Sequence, residues 1–202
     1  MSTIPATNPE PALGPPGAGV PRAELLFGRV LFRSLRLAWS TRAAALAQFL
    51  SRGRRVLATL QSLDDETAAR RVLVPRLTGL EDSSRYWSPF MIAQHLFIVN
   101  RDALVIIESL CAGQVPAGEV RIAGLKPDAD ADRRAVDAFA GTLTEFEQRI
   151  PVLSGWPGRS RHRHPWFGLL SAHGWLCMTA MHHDIHRRQL DRVLRAGHPR
   201  VS

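Results

Sequence analysis

Cysteine and lysine are nearly missing from this chain. Its two cysteines, Cys111 and Cys177, stand far apart in 202 residues and form no CxxC pair. That spacing excludes a zinc knuckle and a disulfide framework and fits a reducing, cytoplasmic compartment. Cys177 lies in an apolar helical run, where a free thiol reads as a small buried hydrophobe rather than a nucleophile. Lysine occurs once, as Lys126, so the formal net charge of +8 and the pI near 11.2 come from arginine. The arginines are scattered among acidic and apolar positions instead of forming a stripe with interleaved aromatics. The two densest basic stretches, RGRR at 52–55 and RSRHR at 159–163, read as solvated faces, and no nucleic-acid interface is expected. No apolar run reaches the roughly 18 to 20 residues of a membrane-spanning helix, so no membrane association is expected. Hydrophobic residues make up 45% and charged residues 22%, the composition of a soluble globular protein. Strand-like alternation and internal repeats are also missing.

What is present is helical periodicity, punctuated by proline and glycine. Residues 1–21, MSTIPATNPEPALGPPGAGVP, carry no signal-peptide pattern and read as a disordered tail. Residues 22–39 form an N-terminal helical extension, with Leu25, Leu26, Val30, Leu31, Leu35 and Leu37 near helical spacing. TRAAALAQFLSRGRRVLATLQ at 41–61 predicts one helix, or two divided at Gly53. Ser62 and the acidic run 64–66 mark a helix start leading into TAARRVLV, stopped at Pro75. Ser88 and Pro89 supply a cap oxygen and a ring preset at helical φ for a buried helix to about Leu110. A helix over 133–150 ends at Pro151, and 166 to about 196 reads as the last long helix. The expected fold is all-α: an antiparallel four-helix bundle over 40–198 with an additional N-terminal helix.

The chemistry sits in MHHDIHRRQLDRVL, residues 181–194, which places three of the chain's eight histidines within five positions. Residues four apart on a helix diverge by only about 40°, so His182 and His186 can converge on one metal ion. His183 and His186, at about 60°, are a competing pair, while His173 points about 180° away from His182; with His182 chosen, His183 and His173 read as ordinary polar residues on other faces. A third ligand must come from a facing helix, and His95 is the only histidine in the helix that follows Ser88. Bundles build metal sites from side chains that project inward in this way. His164 reads as a cap for the loop entering the last helix, with HPWFG packing that junction, and Trp87 reads as core.

These segments carry a resemblance. YWSPFMIAQHL at 86–96, HPWFGLLSAHGW at 164–175 and HHDIHRRQL at 182–190 are similar to motifs of the DinB/YfiT-like superfamily of four-helix-bundle metalloenzymes, over roughly residues 40–196. The resemblance implies one divalent metal held by His95, His182 and His186, with Gln189 matching a glutamine of the family. Zinc is the first expectation, with nickel, iron or manganese as alternatives. It also implies metal-dependent S-transfer or isomerisation using a low-molecular-weight thiol of the bacillithiol or mycothiol type. A small-molecule substrate is expected, with a homodimer as one assembly. Nothing before residue 40 has a counterpart.

Three neutral imidazoles leave a divalent ion its full charge and an open position, the arrangement of a catalytic site. Such an ion can lower the pKa of water or hold a thiol as thiolate. A general acid or base is missing from this picture, because Asp184 lies about 160° from His186 around the helix. The rival expectation is a non-enzymatic bundle with a structural metal or none, acting through association with a partner or with itself.

Overall fold

The computed structural model describes residues 10–197. It is mostly helical, with six α-helices and two short two-stranded ladders. The helices are α1 (Arg22–Ala38), α2 (Arg42–Gln61), α3 (Asp65–Ala69), α4 (Pro89–Cys111), α5 (Arg133–Arg149) and α6 (Ala172–Gly197). Four of them, α2, α4, α5 and α6, make the core: α2 and α4 each pack against both α5 and α6. Their starts obey local chemistry. The Thr41 hydroxyl accepts from the Ala44 N–H, and the Ser88 hydroxyl accepts from the Met91 N–H with Pro89 opening the helix, each cap satisfying a donor that the first turn leaves unpaired.

α4 is the most buried element. By length and composition it is apolar enough to cross a membrane, contrary to the expectation that no run would qualify, and 67% of its most apolar window is buried among the other helices. Gly53 does not divide α2; it lets the core close. A Cβ there would stand 2.5 Å from Leu143 Cδ2 and 3.0 Å from the His183 ring, so only a glycine admits α5 and α6 this near the α2 backbone. Around it Phe49 stacks on Phe146, with ring centroids 4.1 Å apart.

Two boundaries differ from expectation. α3 ends at Ala69, and Val72–Leu73 (β1) pairs antiparallel with Tyr86–Trp87 (β2). α6 begins at Ala172, because Gly168–Leu170 (β4) pairs with His162–His164 (β3) and Ser171 then caps the helix through the Gly174 N–H. Ladders of two or three residues are too short to show alternation. α1 buries Phe32 yet leaves Leu26, Val30 and Leu37 exposed. It is clamped by Arg29 to the Trp166 carbonyl at 2.8 Å and by Glu24 to Arg76 and the Gly79 N–H. The expected disordered tail, 1–21, falls outside the described residues over 1–9. Over 10–21 it holds no strand and lies on the 81–82 loop: the Gly17 and Gly19 N–H groups donate to the buried Glu81 carboxylate at 3.1 Å each, and Gly14 donates to Asp82.

Candidate metal centre

The Ser88–Pro89 start sets the register of α4 so that His95 faces α6, where His182 and His186 stand one turn apart. The three rings meet through one kind of atom. His182 Nε2 lies 3.2 Å from His95 Nε2 and 3.0 Å from His186 Nε2. For metal–nitrogen bonds of about 2.0–2.1 Å the ligand–ligand edge is about 3.3 Å in a tetrahedron and about 3.0 Å in an octahedron. The cluster therefore has the dimensions of a preformed ligand set.

The outer nitrogens fix the tautomers. His95 Nδ1 donates to the Leu125 carbonyl at 2.7 Å, on a 3-10 turn (Ile122–Leu125) that Gln94 holds to α4 through both ends of Asp128. His186 Nδ1 donates to Gln189 Oε1 at 2.7 Å, and Gln189 Nε2 donates in turn to the Ser84 carbonyl at 2.7 Å. With their protons committed outward, His95 and His186 present bare lone pairs at Nε2. A proton on His182 Nε2 could satisfy only one of them, and His182 Nδ1 is itself buried without a partner among the described residues. Protons alone cannot satisfy this group; a cation shared by three Nε2 atoms can. The outward hydrogen bonds are those that orient and strengthen histidine ligands.

Burial also keeps the rings neutral. His95 is pushed down to about 4 by loss of solvent, with its bond to the Leu125 carbonyl acting in the opposite direction. His182 and His186 are held well below the ordinary imidazole range by burial first and by the neighbouring imidazoles second. Neutral rings are the form that binds metal. Trp87 packs behind the cluster, its ring 5.0 Å from His95 and parallel to His186 at 5.9 Å.

The remaining histidines are elsewhere, and one departs from expectation. His183 is not on a polar face: it is fully buried, its Nδ1 3.3 Å from the Phe49 carbonyl and its Nε2 3.2 Å from the Asn100 side chain. α6 is covered on several sides, so adjacent residues can both face protein. His173 is beside Cys177, at 3.5 Å from the sulfur. Burial raises the Cys177 thiol to about 12, which leaves it inert. His164 accepts from the Trp166 and Phe167 N–H groups at Nδ1 and so shapes the β3–β4 turn. Asp184 is bound to Arg52 at 2.6 Å and is no part of the cluster.

A cavity of about 190 Å³ opens onto the three histidines. Its wall includes residues that sequence reasoning did not place there: Glu24, Leu25 and Leu31 of α1, Glu81 of the 79–84 loop, and His164. Glu81 and Glu24 are the acidic groups of this wall whose place no helical spacing could reveal, because loops and the N-terminal extension bring them in. The chain matches no protein-family model, no curated protein and no solved structure.

Proposed function

We propose that this chain is a divalent-metal-dependent enzyme of the DinB/YfiT-like superfamily, built as an antiparallel four-helix bundle of α2, α4, α5 and α6, that carries out thiol-dependent S-transfer or isomerisation on a small molecule. One observation carries the reading: three imidazole lone pairs converge at the end of a cavity large enough for a substrate. His95, His182 and His186 hold the ion, zinc before nickel, iron or manganese, because three neutral nitrogen donors suit those metals. When bound, such an ion would supply the positive charge that makes a thiol or water give up its proton more readily. Leu125 and Gln189 hold the His95 and His186 rings with Nε2 inward. Trp87 excludes water from behind the cluster, and the cavity wall admits the substrate from the opposite side.

Elemental analysis of the purified protein tests the first step, with about one zinc or equivalent metal per chain expected. Cobalt substitution followed by titration with a small thiol such as 2-mercaptoethanol tests the second. A new sulfur-to-metal charge-transfer band supports the enzyme reading. A full metal complement with an unchanged spectrum would instead favour a structural metal in an interaction protein.

A further inference from the structure

The cavity beside the three histidines is apolar along most of its length and unsatisfied at one end. Val99, Ala103 and Ile106 of α4 form one side and Met178 and Met181 of α6 another. The N-terminal helix closes the third side with Leu25 and Leu31, and the exposed Phe27 ring stands at the rim. Its volume of about 190 Å³ is slightly more than the roughly 150 Å³ of an aliphatic cavity that holds benzene. One ring with a short side chain therefore fits.

The polar end asks for negative charge. Three neutral imidazoles leave a divalent ion uncompensated, and the carboxylates on the wall are already engaged. Glu24 is held by Arg76 and the Gly79 N–H, Glu81 by the Gly17 and Gly19 N–H groups, and Asp102 by Arg101. His164 adds a donor. Because its Nδ1 accepts two backbone N–H groups, its proton resides on Nε2, and no protein group among the described residues accepts it. His164 lines the same cavity as His95, His182 and His186.

We propose that the cavity binds a compact apolar carboxylate, a single ring or a branched chain of similar volume, whose hydrocarbon part packs on Val99, Ala103, Ile106 and Met178 and whose carboxylate faces the three histidines and accepts from His164 Nε2–H. This names the substrate class of the metal-dependent site proposed above and rests on that reading. The N-terminal helix thereby acquires a role as a wall of the binding cavity.

The test uses the full-length, zinc-loaded protein and calorimetric titration with phenylacetate and with acetate. Burying the phenyl group should make phenylacetate bind at least about tenfold more tightly. Ala103→Phe fills the cavity and should abolish that preference. Phe27→Glu, at an exposed position where folding is not at stake, places a charge at the rim and should weaken phenylacetate more than acetate. His164→Asn keeps an acceptor for the Trp166 and Phe167 N–H groups but removes the Nε2 donor. It should lower phenylacetate affinity about tenfold with zinc content unchanged. Equal affinity for the two acids in a protein carrying one zinc per chain would overturn this proposal and leave the metal reading standing. So would phenylacetate binding that ignores both Phe27→Glu and His164→Asn. A protein that takes up no zinc would overturn the metal reading, and this proposal with it.

Discussion

Alanine at His182 and alanine at His183 should fail in different ways, although the two residues are adjacent. The His183 ring is fully buried, 4.7 Å from the Phe49 ring centroid, and meets the Phe49 carbonyl and Asn100. Deleting it opens a core cavity, which costs about 2–4 kcal/mol for a side chain of this size. Leaving the Asn100 Oδ1 without its partner, while Nδ2 keeps Thr142, adds about 1 kcal/mol. At about 2–4 °C per kcal/mol for a domain of this length, Tm should fall by roughly 10 °C, while the metal ligands stay in place. His182 is only half-buried, and one of its nitrogens already has no partner. His182→Ala should therefore cost the metal-free protein no more than about 1 kcal/mol but remove a ligand. The assay is thermal unfolding with and without zinc, paired with elemental analysis. Zinc at a hundredfold excess over its Kd stabilises the native state by about 2.7 kcal/mol, so Tm should rise in the parent and in His183→Ala and stay put in His182→Ala. If His183→Ala loses zinc while His182→Ala keeps it, the assignment of the centre is refuted.

Three further outcomes follow from the same geometry. Acidification should destabilise the metal-free protein: His95 and His183 are each lowered by burial from 6.5 to about 4, so the unfolded chain takes up protons first as pH falls below 6.5. Stability is fully present above that pH and is lost towards pH 4, by about 3 kcal/mol for each ring at about 1.4 kcal/mol per unit; urea midpoints that stay flat from pH 7 to 4.5 would contradict this. Gln189→Ala removes the acceptor that orients His186 and should weaken zinc binding about 10- to 100-fold, measured by chelator competition, with His95 and His182 unaltered. Gly53→Ala forces a methyl group against Leu143 and His183 and should cost about 1–3 kcal/mol as overpacking; an unchanged urea midpoint would show that the α2–α6 contact is loose.

The metal candidates were legible in the sequence because a helix converts spacing into direction. His182 and His186, one turn apart, must share a face, and the Ser88–Pro89 start announces the helix that carries His95. The same arithmetic misjudged His183, since an angle says which way a side chain points and not what lies there. Whether two adjacent histidines are both covered depends on how many neighbours surround α6. Likewise Gly53 looked like a helix breaker from its propensity. Only the approach of α5 and α6 reveals it as the place where the backbone must be bare.

By itself the sequence determined the elements that local chemistry can specify: the capped start of α4, the extent of α1 and α2, the helical content, and the i, i+4 pair on α6. Tertiary structure alone decided what long-range contact specifies. It bonded Leu125 to His95 across 30 residues and Gln189 to Ser84 across 105, so that the lone pairs turn inward. It also brought α1, the 79–84 loop and His164 together around one cavity. The reason is physical: caps and helical faces arise within a few residues through short-range hydrogen bonds and fixed rotation per residue, whereas a ligand's tautomer and a cavity's wall are set by groups that meet only after the helices pack.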